Sequence, residues 1–552
     1  MQVVMKRDAS GFMVRWSDEL AARAHAEGAW PDRTVAQFAQ DRYLARPDRV
    51  QLVDNDRALT CRQLYQGALK LAGYYRAAGL KAGDVVSFQL PNWWEAQLVN
   101  LAGAMTGVVV NPIVPIYRDA EVSYMLDTVG AKIVFIPDSF RNFDYAAMMR
   151  RILPDMVARP AVVVVRGQSK DHGFDGFERI VETASPVAGP DAVDPDAVKM
   201  VMFTSGTTGR SKGVLHSHNS IHADGMKMAP ALGLDDRDCT FSPSPITHVS
   251  GYLWALNIPW LTDIPAVTVD VWDPQVAFDT VRRHGCSFML GATPFLQGLL
   301  DVVRERGETL PGLRQYLCGG AAVPPSLIYD AMALLPNVIA WRNFGATEVP
   351  TMTRAPERRE DALFGAETDG RIHYCDVKII DLVSGEPVSA GQEGEICARE
   401  ASMALGYLNS EDNADAYDDE GYFHMGDIGM LVHGDHIVVT GRKKDLIIRA
   451  GENISAKEIE DVLLADAQIA DAAVVSMPSA KTGEAICAFI VPEGDARPDM
   501  GYVTALVAAA GLAKQKTPEY VALSPELPRT ASGKIRKDVL RDQARAFTLS
   551  AR

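Results

Sequence analysis

No stretch of this 552-residue chain is apolar for long enough to cross a bilayer as a helix. The longest candidate, YLWALNIPWLTDIPAV, is interrupted by Asn257, two prolines and Asp263, so no transmembrane segment is expected. The opening MQVVMKRDASGFMVRWSDEL lacks a sustained apolar core, and no signal peptide is expected either. Cysteine is sparse. The seven present (Cys61, Cys239, Cys286, Cys318, Cys375, Cys397 and Cys487) stand singly, none at metal-ligand spacing. That argues against a disulfide framework and fits a reduced, cytoplasmic setting. Positive charge is also short: 55 Lys and Arg against 71 Asp and Glu leave a net charge of −16. Without a basic field the chain is a poor sequence-independent nucleic-acid binder, so no nucleic-acid partner is expected. Any anionic ligand must be gathered by local backbone amides and a few placed cations. Internal repeats and low-complexity segments are missing as well.

What is there reads as a multidomain globular protein, 47% hydrophobic and 23% charged. Strand-like DVVSFQL precedes helix-like EAQLVNLAGAMTG, strand-like VVVNP precedes helix-like DAEVSYMLDTVG, and AKIVFIP, PAVVVVRG and VKMVMF continue the theme. Such alternation predicts an α/β fold with parallel sheets covered on both faces. In MLVHGDHIVVTGRKKD, Gly434-Asp435 lies between two β-rich runs and predicts a hairpin. A charged break follows, then a compact α+β pattern from SAKEIEDVLLAD to YVALSPELP. The expected organisation is a large N-terminal domain of layered sheets with flanking helices over 1–441, a hinge at 442–444, and a small mobile α+β domain over 445–552.

TSGTTGRSKG, from Thr204 to Gly213, carries five hydroxyls, three glycines and two cations directly after the strand VKMVMF. Glycines let backbone N–H groups turn inward, hydroxyls add donors, and Lys212 adds a point charge. The composition suits a polyphosphate, although such runs are also ordinary surface loops. It is not a Walker A loop, since Ser211 stands where that pattern needs glycine before the lysine. Kinase motifs are missing too.

This stretch resembles the phosphate loop of the adenylate-forming enzymes: acyl-CoA synthetases, luciferases and adenylation domains. The family usually has proline at Ser211. PITHVSG, GGAAVP, NFGATE, YFHMGD, GRKKD and PRTASGK resemble further family motifs in family order, over nearly the whole chain. The resemblance implies a two-step ligase. A carboxylate attacks the α-phosphorus of ATP to give acyl-AMP and pyrophosphate, and a thiol then takes the acyl group and expels AMP.

The roles below are what the resemblance implies. Thr204, Ser205, Gly206, Thr207, Thr208, Gly209 and Lys212 hold phosphates. Thr204 and Glu348 form the Mg²⁺ side, where a hard oxygen ligand suits the ion. Gly320, Ala321, Ala322, Asn343, Phe344, Gly345 and Thr347 contact the nucleotide, with Phe344 and Ala346 where the family more often has tyrosine and a small or polar residue. Asp427 and Arg442 take the ribose hydroxyls. Lys534 is the catalytic lysine, carried on the small domain, and His248 stands at the mouth of the carboxylate pocket. Taken without the family, Glu348 reads as a solvated helix-start residue, Asp427 as a turn residue closing an aromatic strand, Arg442 and Lys534 as surface charges, and His248 as a hydrogen-bonded core histidine. His218 and His424 read as structural. Lys444 is the expected pivot, and Ala450-Gly451 lines the CoA approach where the family has Ser-Gly or Gly-Gly.

Several stretches look closest to CoA ligases for short- to medium-chain and alicyclic acids, cyclohexanecarboxylate included. The expected acyl pocket is His248, Val249, Tyr252, Gly291, Thr293, Gly320, Val349 and Pro350, with no second cation for a dianionic acid. The chain ends shortly after Lys534 with no fused carrier domain, which favours free CoA. An acyl-AMP ligase serving a separate carrier protein is the alternative. A non-catalytic nucleotide sensor is disfavoured because Glu348 and Lys534 are both kept. Expected partners are a small carboxylic acid, ATP, Mg²⁺ and CoA. Oligomeric state stays open, a homodimer included, and a protein lysine acetyltransferase acting on Lys534 would remove its charge.

Overall fold

The computed structural model describes residues 3–167, 173–204, 210–320, 323–450, 452–479, 481–530 and 533–550. The first large sheet is ordered Asp175–Gly176, Ala161–Val165, Ile133–Pro137, Val85–Phe88, Val109–Pro112, Val198–Thr204, Lys212–Ser217. Its inner strands are near-continuous apolar runs, as strands buried on both faces must be. All pairings are parallel except the last: Lys212–Ser217 runs antiparallel to Val198–Thr204. The expectation of parallel sheets is therefore corrected at this edge. The loop after Thr204 is a return connection between hairpin partners, not the start of a crossover helix.

The second large sheet is ordered Ile339–Asn343, Gln315–Gly319, Phe288–Gly291, Thr240–Phe241, Ala266–Thr268, Val50–Asp54, Arg57–Thr60. It is parallel up to its final antiparallel hairpin. Helix Glu95–Thr106 is buried along nearly its whole length and ends at Gly107, whose φ of 72° lets the chain turn without strain. Its Leu98 and Leu101 share one apolar cluster with Phe88 and Phe135 of the first sheet and Phe288 and Leu317 of the second. The two sheets and this helix thus form one layered α/β core.

A third sheet is antiparallel, ordered Thr353–Arg354, Arg371–Ile372, His436–Arg442, Phe423–Val432, Gly394–Glu400, Cys375–Ile380. The hairpin predicted at Gly434-Asp435 joins its two long strands, with His433 and Gly434 at positive φ. Asp427 lies inside the strand Phe423–Val432 rather than at its end, which corrects the reading of a turn residue: the strand runs on past Gly426 to pair with Val438 and Val439.

After a short turn at Lys443–Asp445 comes the smaller α+β unit. Its strands are ordered Glu452–Ile454, Ile447–Arg449, Gly483–Pro492, Ile469–Ser479, with Tyr520–Leu523 also pairing Gly483–Pro492. Helices Ala456–Leu464 and Met500–Ala509 supply its own core with Ile486, Ala488 and Ile490. The hairpin Ile447–Arg449/Glu452–Ile454 has a two-residue connection, Ala450-Gly451, and Ala450 adopts φ 52°. Such connections favour residues that tolerate positive φ, so glycine would sit here with less strain. Gly451 lies outside the described residues. The short hairpin and the closing helix Lys537–Ser550 are elements that the sequence pattern did not single out.

Beyond strand Ile339–Asn343 the chain folds back on itself. Ala346 N–H donates to the Val349 carbonyl at 2.8 Å, and Met352 N–H donates to the Phe344 carbonyl at 3.0 Å. A Cβ on Gly345 would lie 2.0 Å from the Pro350 carbonyl oxygen, a distance no side chain can accept. Gly345→Ala should destabilise the protein by about 1–3 kcal/mol, the range for overpacking. Urea denaturation checks this; an unchanged midpoint would show that the loop yields freely.

Candidate active site

The C-terminal ends of parallel strands gather the site, as they do in open α/β sheets generally. In the second sheet Gly291, Gly319 and Asn343 end three neighbouring strands, and Thr240–Phe241 leads to the segment holding His248. Gly319 pairs with Asn343, so the loops that follow them begin side by side. Gly320 has φ 83° and open space where a Cβ would be. Asn343 accepts through Oδ1 from the Thr353 hydroxyl at 3.3 Å, and Phe344 N–H donates to the same hydroxyl at 3.1 Å. Ala321 and Ala322 lie outside the described residues.

In the first sheet Thr204 stands opposite Lys212 in register. Thr204 and Lys212 therefore meet where strands Val198–Thr204 and Lys212–Ser217 end and begin. Ser205, Gly206, Thr207, Thr208 and Gly209 lie outside the described residues. Lys212 Nζ is 3.3 Å from Asp412 and 4.9 Å from the centroid of the Tyr407 ring. The Tyr407 hydroxyl in turn donates to Glu348 Oε1 at 2.6 Å. Glu348 is buried, not a solvated helix-start residue. Burial pushes its carboxyl up; the Tyr407 hydrogen bond and the charges of Lys534 and Lys212 oppose that. Among the described residues no lysine or arginine forms an ion pair with it. A buried hard oxygen donor without an ion-paired cation is the kind of group Mg²⁺ takes, so Glu348 fits the ion.

Asp427 and Arg442 face each other across their hairpin, Nε to Oδ1 2.9 Å. Burial pushes the Asp427 carboxyl up, and Arg442 and Lys534 offset part of that. Lys534 is half-buried, and burial together with the Arg442 charge brings its ammonium down to about 8, against the opposing pull of Asp427 and Glu348. Its backbone is held in a tight turn: Lys534 N–H donates to the Thr530 hydroxyl at 3.1 Å, and Thr530 N–H to the Lys534 carbonyl at 2.7 Å. Neighbouring Gly533, at φ 84°, faces Pro294 and Ala292 of the large domain. The lysine turn of the small domain thus docks beside Gly291 and Thr293.

His248 Nδ1 is 3.0 Å from the Ser250 hydroxyl. Burial and the Lys534 charge bring its imidazole down to about 4, so the ring is neutral at pH 7. Of the other expected pocket residues, Val249 is buried and Gly291 has no room for a side chain, a Cβ there meeting Phe295 at 2.8 Å and the Tyr316 hydroxyl at 3.0 Å. Tyr252 is wholly buried with its hydroxyl on Asn100, and Val349 is wholly buried among Val214, Phe344 and Met352. Both are held in side-chain packing, as Val249 is. Pro350 is close to Gly345, as described above.

Lys444 lies in the Lys443–Asp445 turn and feels the charges of Arg442, Asp445, Arg541 and Asp427. Arg541 of the closing helix donates to the Lys444 carbonyl at 3.2 Å and pairs with Asp445. Sequence reasoning missed Tyr407, which follows Gly406 at φ 104° in an irregular segment. It also missed His216, which reads as one more residue of an apolar strand. The Gly-Tyr pair after a β-rich run was the one available signal for Tyr407.

The model for AMP-binding enzymes matches residues 39–408, and that for the AMP-binding enzyme C-terminal domain matches 458–534. The chain is 32% identical over 534 residues to a medium-chain fatty-acid–CoA ligase of Escherichia coli (strain K12), covering 95% of this chain and 93% of that one. It is also 32% identical over 524 residues to a Mycobacterium tuberculosis CoA ligase named for a methyl-dioxo-octahydroindenyl propanoyl group, covering 93% and 99%. The crystal structure of ATP-bound MatB from Rhodopseudomonas palustris superposes with a TM-score of 0.81 at 24% identity, over 93% of this chain and 99% of that chain, a likeness of fold. Among the described residues no helix is long and apolar enough to cross a membrane. The chain belongs to the AMP-binding, adenylate-forming enzyme family, and it is an AMP-forming acid–thiol ligase.

Proposed function

We propose that this ligase activates a compact apolar carboxylic acid, medium-chain or alicyclic, with ATP and passes the acyl group to CoA in the cytoplasm. The observation that carries the reading is the convergence of Lys534, from the small domain, with Asp427, Glu348 and His248 of the large one and with Arg442 at the junction. The acid class is supported by the names of the two similar ligases, one for medium-chain acids and one for a bicyclic acid.

In the first half-reaction a carboxylate oxygen attacks the α-phosphorus and pyrophosphate leaves with the electron pair of the broken P–O bond. Anions must approach one another, so donors and cations placed in advance lower the barrier. Lys212 and the Thr204 hydroxyl face the polyphosphate, Asp427 and Arg442 hold the ribose, and Lys534 bridges the carboxylate and α-phosphate oxygens. Thr204 and Glu348 would hold Mg²⁺, which neutralises phosphate charge when bound. Neutral His248 borders the carboxylate without adding charge, beside Val249, Gly291, Thr293, Gly320 and Pro350. In the second half-reaction the CoA thiol attacks the acyl carbon and AMP leaves.

The small domain must present Lys534 first and the Ala450-Gly451 hairpin second. One rigid pose is unsuited to both, and a rotation at 442–444, pivoting on Lys444, resolves the conflict. Acetylation of Lys534 would neutralise the ammonium and switch off the first step.

A panel of acids with ATP, Mg²⁺ and CoA tests the function: AMP and acyl-CoA should form with medium-chain and alicyclic acids and not with dianionic ones. Formation of ADP would sink the reading, and product made only on adding a carrier protein would favour the carrier-dependent alternative. Lys534→Ala should slow adenylation by on the order of 10²–10³ while sparing thioester formation from supplied acyl-AMP. In the wild type, kcat/KM for adenylation should fall as pH rises through about 8, because the free-enzyme ammonium then loses its proton. Lys534→Arg should move that alkaline limb upward; a profile unchanged by the arginine would remove Lys534 from the step. Lys444→Pro fixes φ near −65° and should trap the present pose, leaving adenylation intact and thioester formation impaired. Wild-type rates in both halves would place the pivot elsewhere.

A further inference from the structure

The edge strand Lys212–Ser217 presents alternate residues to its two faces, as any strand does. Leu215 packs with Val201, Phe203 and Leu405 in one cluster. Val214 packs in another with Phe344, Val349, Met352 and Tyr407. Lys212, Val214 and His216 therefore share the face turned toward the Phe344–Met352 loop. His216 is completely buried on that face, where an apolar side chain would continue the strand equally well. Its Nε2 is 2.8 Å from the Thr347 carbonyl oxygen, and its Nδ1 is 3.0 Å from the Ser220 hydroxyl. A carbonyl only accepts, so Nε2 carries the proton and Nδ1 accepts from Ser220. Burial brings the imidazole down to about 4, which keeps this single tautomer at pH 7.

The next peptide is held as well. The Glu348 carbonyl accepts from Ala404 N–H at 2.8 Å, and its carboxylate accepts from Tyr407. Ala404 and Tyr407 belong to the segment that bridges back to the same strand, Leu405 N–H donating to the Leu215 carbonyl at 2.8 Å and Leu408 N–H to the Gly213 carbonyl at 2.8 Å. One strand thus supports Thr347 and Glu348 from both sides, and His216 supplies the contact on the Thr347 side.

We infer that His216 is a positioning residue for adenylation: its Nε2–H holds the Thr347 carbonyl and so aims Thr347 and the Glu348 carboxylate at the polyphosphate. The inference rests on the adenylation reading proposed above. It assigns His216 no contact with substrate.

The test compares His216→Leu, which removes the donor, with His216→Gln, whose amide nitrogen reaches the Nε2 position, and with the shorter His216→Asn. Calorimetry of ATP binding at varied Mg²⁺ without acid gives a readout independent of turnover. His216→Leu should weaken Mg²⁺-dependent ATP binding and slow acid-dependent pyrophosphate release by about 10–100-fold, the usual cost of losing a partner that orients a metal ligand. Thioester formation from supplied acyl-AMP should stay close to wild type, and His216→Gln should recover most of the loss. Wild-type ATP affinity and adenylation in His216→Leu would overturn the inference. So would a parallel fall in both half-reactions with glutamine no better than leucine, since that marks a purely structural histidine. If the leucine variant does not fold, glutamine must outperform asparagine in ATP affinity, and equality overturns the inference. A wild-type enzyme that releases ADP would fail the adenylation reading first, and the inference with it.

Discussion

Glu348 and Asp427 are carboxylates kept out of water beside a half-buried lysine, and a buried charge is costly unless something opposite in sign meets it. Asp427 has Arg442 across its own hairpin, so its compensation is local and permanent. Among the described residues, Glu348 has a neutral tyrosine hydroxyl, a backbone N–H and the more distant charges of Lys534 and Lys212. Lys534 belongs to the small domain, and burial lowers its own ammonium. The site thus pairs one carboxylate with a cation on its own hairpin and leaves the other to charges brought from elsewhere in the chain.

The architecture serves this constraint by using strand ends. Parallel strands of the second sheet deliver Gly291, Gly319 and Asn343 to one rim, because every crossover returns the chain to the same side of the sheet, and Thr204 ends a strand of the first sheet. The antiparallel exception, Lys212–Ser217, is as consequential. By reversing direction it brings Lys212 back beside Thr204, and its buried face places Val214 and His216 beneath the Phe344–Met352 loop. Gly345 allows that loop to fold tightly against Pro350, and Tyr407 reaches Glu348 from the bridging segment on the strand's far edge.

Much of this was legible in the residues. Helix Glu95–Thr106 with Gly107, the hairpin at Gly434-Asp435 and the succession of elements in the small unit followed from periodicity and turn chemistry. Lys212 was reached from the composition of its loop, and Glu348, Asp427, Arg442 and Lys534 through motif resemblance, since each alone reads as a helix-start, turn or surface residue. His216 was not legible: within KGVLHS nothing local distinguishes a histidine that bonds Thr347 from one that fills space. Tyr252 and Val349 stood beside motif residues, and only packing showed that both are wholly buried.

By itself, the sequence determined the α/β class, the two-part organisation, the absence of a long apolar helix and the membership of the adenylate-forming family, because these depend on local periodicity, composition and ordered motifs. Tertiary structure alone decided the direction of the strand after Thr204, the support of the Thr347–Glu348 peptide by His216, Ala404 and Tyr407, and the docking of the Lys534 turn beside Ala292 and Pro294. The last two features join residues tens to hundreds of positions apart, and a contact at that separation is set by how whole layers pack, which no short window of sequence encodes.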